Sequence, residues 1–243
     1  MVNTVEVRHV SKRFTLRHTR SLKEMLVWMS RGRDLSDTFL ALDDVALDVA
    51  QGEAIGLLGF NGSGKSTLLK LISGVMRPDA GSIGVRGRVA GLIEVGAGFH
   101  PDLTGRENIY LNGATLGMSR QQIDRLFDSI VDFSGISRFL DSEVKFYSSG
   151  MFFRLAFAVA VHTEPDVFLV DEILAVGDEP FQRMAVERIK QLRSEGRTLI
   201  MVSHDLDLVD RICDRGIVLR EGRLEKDTDI STAIDFLRQS DRT

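Results

Sequence analysis

The stretch Gly59-Phe60-Asn61-Gly62-Ser63-Gly64-Lys65-Ser66-Thr67 constrains this chain more than any other. An apolar run, AIGLL, leads straight into it. STLLKLISG follows at once, with Leu68, Leu69 and Ile72 on one side and Gly74 as a stop. The spacing is G-x-x-x-x-G-K-[ST]. Glycines let backbone N–H groups turn inward, and the N-terminus of the following helix adds a field that favours anionic oxygen. A plain glycine turn between strand and helix is the alternative; the strand before and the helix after favour the phosphate reading. Lys65 is then expected to reach the β- and γ-phosphates of ATP, and Ser66 to ligate Mg²⁺. Phe60, Asn61, Gly62, Ser63, Gly64 and Thr67 complete the expected ATP-binding loop.

Composition narrows the class. A chain of 243 residues can bury a large core, either as one domain with an insert or as two small domains. Its 43% hydrophobic and 27% charged content is ordinary for a globular protein. A net charge of −4 carries no nucleic-acid signature. The single Cys213 excludes a disulfide framework and a thiolate cluster and reads as a core thiol. The histidines show no metal-ligand spacing. The N-terminus, MVNTVEVRHVSKRF, lacks the apolar core of a signal peptide, and LAFAVAV is far too short to cross a bilayer. The expectation is a cytosolic chain whose membrane contact is peripheral.

The chain's periodicities predict strands over 4–10, 45–50 and 53–58, a helix after the glycine loop, and further strands to about residue 92. From 96 to 147 the pattern turns helical and more polar. Strand and helix then alternate again: VFLV, a helix near 180–194, TLIMVS, a helix near 205–213, and GIVLREGRL as a hairpin. That order predicts an α/β core with a mainly parallel sheet, interrupted by an inserted helical subdomain. The core is expected over 1–95 and 155–230, the helical insert over 96–154, and a short tail over 231–243.

The run VFLV ends on Asp171 and Glu172, at the strand end where open α/β sheets bind ligands. Alone, such a pair reads as solvated. Downstream of a phosphate loop, Asp171 is expected to hold the Mg²⁺ shell and Glu172 to polarise the attacking water as general base. His204 follows the next apolar strand, TLIMVS. A histidine there is often structural; in this register it is placed to bond the γ-phosphate and position the water.

Tyr147-Ser148-Ser149-Gly150-Met151 precedes the helical run FFRLAFAVAVH, so small residues and glycine stand at a helix N-terminus. These five residues resemble the LSGGQ signature of ABC transporter ATPases. Tyr147 replaces its Leu, Ser149 its first Gly and Met151 its Gln, while Ser148 and Gly150 match. The resemblance covers about residues 5–225. It implies a P-loop ABC ATPase fold with an additional antiparallel β part. It also implies a second copy of the chain, with Ser148, Ser149, Gly150 and Met151 completing the other copy's ATP site. The loop from Ala175 to Asp178 would link the two sites. By the same resemblance Phe14 could stack on adenine; a core phenylalanine is the equal alternative.

Within the superfamily, LIEVGAGFHPDLTGRENIYLNG resembles ATP-binding subunits that export O-antigen, teichoic acid, capsule and related lipid-linked glycans. A glutamine expected by the family is absent between Gly91 and Leu103, and Glu94 is the nearest candidate for that metal-facing position. The resemblance implies two copies of an integral membrane permease as partners. Two rival readings are an importer or drug-exporter ATPase, and a soluble ABC ATPase; the latter families usually carry two cassettes or a long coiled coil. Because the sequence stops at Thr243, no carbohydrate-binding domain is expected.

Residues 15–39 form an excursion longer than most such ATPases carry. Leu22, Met25, Leu26 and Met29 have the spacing of a short amphipathic helix. Lys12, Arg13, Arg17, Arg20, Lys23, Arg31 and Arg33 make the segment 12–33 basic. Contact with anionic lipid headgroups and packing on the core with a solvated rim both fit.

Overall fold

The computed structural model describes residues 2–17, 36–91, 98–171 and 177–240. Strands β1 (Asn3–Arg17) and β2 (Ser36–Ala50) pair antiparallel. After β3 (Ala54–Leu58) and helix α1 (Lys65–Ile72), strand β4 (Ala80–Val85) returns to the other edge of β1, giving the order β2-β1-β4. Val5, Val7, Val10, Val45, Leu47 and Val49 are the buried side chains of this sheet.

Both long strands exceed their expected bounds. The ladder continues through Phe14↔Phe39, Thr15↔Thr38 and Arg17↔Ser36. β4 accompanies β1 only from Val5 to Ser11, so β1 and β2 run on as a two-stranded ribbon. Residues 15–17 and 36–39 therefore belong to the sheet rather than to the excursion. Register shifts at Val7/Val10, Val10/Lys12 and Lys12/Arg13 break the two-residue alternation there, which hides the extension from a periodicity argument. The predicted helix carrying Leu22, Met25, Leu26 and Met29 lies outside the described residues. Lys12 is engaged with Asp79: Nζ stands 2.9 Å from its carboxylate, and the Arg13 N–H donates to the same group at 2.6 Å. Those donors hold the Asp79 carboxyl below its usual range.

The second sheet has six strands in the order β5-β6-β7-β3-β8-β9. The new members are β5 (Val89–Gly91), β6 (Val167–Val170), β7 (Thr198–Met201), β8 (Arg215–Arg220) and β9 (Arg223–Asp229). All neighbours are parallel except β8 and β9. Every residue of β3, β6 and β7 is buried, as a parallel sheet covered on both faces requires. One face packs on α1 and the antiparallel sheet through Ile55, Leu57, Leu68, Leu69 and Val45.

The helical region holds α2 (Gly105–Thr115), α3 (Arg120–Ser134) and the start of α4 (Ser149–His162). Thr104 with Glu107, and Ser119 with Gln122, form capping boxes that satisfy the first N–H groups of α2 and α3. The expected boundary at 154 falls inside α4. Leu155, Ala158 and Val159 pack with α2 and α3, whereas Phe153, Phe157, Ala160 and Val161 pack into the core. A helix apolar all round is a buried one, and here each side serves a different cluster.

The core's second face is completed by α5 (Glu179–Ser194), α6 (Leu206–Ile212) and α7 (Ile230–Ser240). The last of these corrects the expected tail. Ile230, Ala233 and Ile234 are buried, and Phe236 and Leu237 pack beside them.

Phe157 has no exposed surface, stacks on Phe133 and packs against Phe153 and the edge-on Phe181. Phe157→Ala should cost about 3–5 kcal/mol in denaturant unfolding; a loss under about 1 kcal/mol would mean the cluster is not tightly packed. Cys213 is buried, and burial pushes its thiol up to about 12. At about pH 8 the folded chain should resist a disulfide reagent that labels the denatured chain promptly. Equal labelling rates in the two states would show that the thiol is open.

Candidate functional site

The glycine loop is held by backbone on both sides. Gly222, in the turn between β8 and β9, donates its N–H to the Ser63 carbonyl at 3.1 Å. Its own carbonyl accepts from the Asp43 N–H of β2 at 2.8 Å. Arg223 Nε donates to the Asp43 carboxylate at 2.7 Å, closing the same junction from the side chains. Gly64 holds φ 107, and a Cβ there would lie 2.7 Å from both the Ala41 carbonyl oxygen and Leu42 Cδ2. Alanine at 64 could not be seated without moving β2.

Lys65 opens α1 and is buried. Its Nζ donates to the carbonyls of Gly59 (2.7 Å) and Phe60 (3.1 Å), so the ammonium spans the loop it belongs to. Ser63 Oγ is buried with no hydrogen-bond partner, a donor left for an anionic oxygen. A curled glycine loop, a lysine folded over it and an orphaned hydroxyl together fit a nucleotide phosphate. Ser66 is exposed on the first turn of α1 and Thr67 is half-buried beside it; Phe60, Asn61 and Gly62 are exposed at the rim.

A cleft of about 230 Å³ joins Gly59, Phe60, Asn61 and Lys65 to Ser203 and His204. The sheet order explains that meeting. β7 lies between β3 and β6, so the chain leaving β7 passes between the glycine loop and Asp171 at the end of β6. Val202 N–H donates to the Val170 carbonyl at 2.7 Å, which keeps the two strand ends level. Asp205, next to His204, caps α6 by accepting the Leu208 N–H at 2.9 Å. Asp171 is half-buried. Glu172 and Glu94 lie outside the described residues, as does Ala175. Among the described residues no group of three or more His, Cys, Asp or Glu is gathered as a metal site. A larger cleft, about 670 Å³, opens between α5 and α6 and also reaches His204. It contains no part of the glycine loop.

Ser148 is the N-cap of α4, its Oγ accepting the Met151 N–H at 3.2 Å. Ser148 and Ser149 are exposed, and Gly150 and Met151 are half-buried. None of the four lines the cleft of Lys65 and His204. Asp178 is the exposed N-cap residue of α5 and stands 3.7 Å from Arg154 Nη1 of α4. Phe14 is half-buried on the ribbon, opposite Phe39, which is 49% exposed. Lys12 Nζ lies 5.8 Å from the Phe14 ring centroid. Phe14 does not line the cleft either.

Three contributions escaped the sequence reading. Leu237 and Arg238 of α7 line the phosphate cleft; Ile230, Ala233, Ile234 and Leu237 have the i, i+3, i+4, i+7 spacing that would have revealed their helix. Asn108 is fully buried and holds the turn before α2 in place. Its Nδ2 donates to the carbonyls of His100, Leu103 and Thr104, and its Oδ1 accepts the His100 N–H at 2.7 Å. Arg154 is the third; nothing in its sequence context marks it out.

Residues 42–175 match the family described as ABC transporter. The chain is 53% identical over 186 residues to the ABC transporter protein AbcA of Aeromonas salmonicida, covering 76% of this chain and 60% of that one. It is 39% identical over 244 residues to the O-antigen export system ATP-binding protein RfbB of Klebsiella pneumoniae, covering 99% of both. It is 40% identical over 222 residues to the teichoic acids export ATP-binding protein TagH of Listeria monocytogenes serotype 4b (strain F2365), covering 91% of this chain and 66% of that one. In fold it is similar to an ATP-binding subunit of an ABC transporter, with a TM-score of 0.75, 24% identity and coverage of 98% and 93%. It is likewise similar to the dimeric bacterial ABC transporter cassette MJ0796, with a TM-score of 0.73, 22% identity and coverage of 93% and 98%. With the glycine loop and His204 in one cleft, and with one relative, an O-antigen export ATP-binding protein, aligned nearly end to end, this chain belongs to the ABC transporter family of ATP-binding proteins.

Proposed function

We propose that this chain is the ATP-hydrolysing subunit of an exporter that moves a lipid-linked polysaccharide across the cytoplasmic membrane. The observation that carries this reading is the alignment over 99% of both chains with an O-antigen export ATP-binding protein. The chain sits at the cytoplasmic face, bound to two copies of an integral permease and to a second copy of itself. No described helix is long and apolar enough to cross a membrane, which fits a peripheral seat. Lys12 is engaged with Asp79, so any lipid contact by the basic segment falls to its other cations.

In the reaction, ATP phosphates lie in the loop from Gly59 to Thr67. Lys65 exchanges its hold on the two loop carbonyls for the phosphate oxygens, neutralising charge that builds up as the terminal phosphoryl group departs. Ser66 and Asp171 would hold Mg²⁺, with Glu94 as the further candidate, and the ion would offset phosphate charge. Glu172 accepts the proton of the attacking water, and His204 orients that water and the γ-phosphate. Ser148, Ser149, Gly150 and Met151 close the second copy's site, which accounts for their distance from the cleft of their own chain. Phe14 stands as the adenine-facing residue, and Asp178 couples the two sites.

Two outcomes follow. Glu172→Gln should bind ATP within about threefold of wild type but hydrolyse it about 10²-fold or more slowly, because the base is lost and the cradle survives. In cells that make the glycan it should also halt export, with lipid-linked chains accumulating inside; normal surface glycan would sink the transport reading. The shared site is tested by mixing Lys65→Ala and Ser148→Arg chains, each inactive alone. One site of the mixed dimer combines both lesions, and the other is intact. Single-turnover hydrolysis should therefore reappear on mixing. If it never exceeds either parent while dimers form, Ser148 does not act on its partner.

A further inference from the structure

Arg154 joins three elements that no motif connects. It stands four residues after Gly150 on α4, and therefore on the same helix face as the signature glycine. Its Nε donates at 2.9 Å to the carbonyl of Ser134, the last residue of α3. Its Nη1 lies 3.7 Å from Asp178 Oδ1, at the start of α5. Its guanidinium carbon lies 5.1 Å from the ring centroid of Phe181, which is buried in the aromatic cluster. Gly135 makes the approach possible: it caps α3 at φ 65, and a Cβ there would run into Arg154 Nη2.

A planar, five-donor fork can serve a carbonyl, a carboxylate and an aromatic face together; a lysine cannot. As an ion pair the contact to Asp178 is long and partly exposed, so it adds little to stability. Its value is geometric. Whatever moves α4 is passed through Arg154 to Asp178, the N-cap residue of α5.

We propose that Arg154 is a positioning residue linking the 148–151 segment to Asp178. Engagement of the signature by a partner's ATP then sets the placement of Asp178, the residue proposed to couple the two sites, in the same chain. This rests on the reading that residues 148–151 complete a second copy's site.

The test is a double-mutant cycle on the full chain with Arg154→Gln and Asp178→Asn, using affinity for a fluorescent ATP analogue and kcat at saturating ATP. Each single variant should keep affinity within about twofold and lose kcat by about tenfold or more. The double variant should be no slower than the slower single, because one link is cut either way. Losses that multiply, an Asp178→Asn kcat equal to wild type, or a fall in affinity matching the fall in kcat would each overturn the proposal. If Arg154→Gln does not fold, Arg154→Lys replaces it in the cycle. It keeps the charge but cannot serve Ser134 and Asp178 at once, so the same outcomes decide. Lys65→Ala serves as the reference. Full hydrolysis there would overturn the phosphate site itself and this inference with it, whereas an inactive Lys65→Ala beside a normal Asp178→Asn overturns only the link.

Discussion

The junction of Ser63, Gly222 and Asp43 is the constraint on which the rest depends. Two backbone hydrogen bonds in series tie the phosphate loop to the β8–β9 turn and that turn to β2. Gly64 and Gly222 allow the contact, since a Cβ on either would meet the Ala41 backbone within 2.8 Å. The antiparallel sheet is thereby more than a cover for one face of the parallel sheet. It fixes the back of the loop, so the donors that meet an anion are arranged before it arrives. Ordering done during folding is not charged again at binding.

Helix α4 plays the corresponding part for the helical region. One side lies among Ile109, Ile123 and Ile130, the other among Phe168, Phe181 and Val170. The exposed turn at Ser148 is therefore the end of a rod embedded in both clusters, not a loop hung from one. A displacement at that turn cannot be absorbed locally, because close-packed interiors transmit strain rather than deform smoothly. The aromatic cluster midway along it, with Phe153 and Phe157 of α4 against Phe133 and Phe181, is where it would arrive.

The phosphate loop was legible because each part of its chemistry is a residue type at a set spacing, flanked by a strand and a helix. The parallel core was legible for a related reason: strands buried on both faces read as unbroken apolar runs, as AIGLL and VFLV do. His204 follows β7, which is consecutive with β6 in both the chain and the sheet. The ribbon beyond residue 12 was hidden by bulges, and α7 by its position after the last recognisable strand. Leu237 and Arg238 enter the cleft from that helix. Arg154 was invisible for a deeper reason. Its partners, Ser134 and Asp178, are 20 and 24 positions away in opposite directions, and only the packing of three helices brings them together.

The β1–β2 ribbon has a consequence for how this scaffold can vary. Arg17 and Ser36 are register partners, so the sheet itself brings together the two ends of the segment between them. Closing a segment whose ends already touch grows costlier only with the logarithm of its length, about 0.6 kcal/mol for each doubling. The phosphate loop meets β2 at Ala41 and Leu42, on the stretch of that strand beyond the ribbon. Lengthening the chain between residues 17 and 36 is thus cheap in closure entropy. A protein built this way can change what its outer end meets, generation after generation, without renegotiating its catalytic interior.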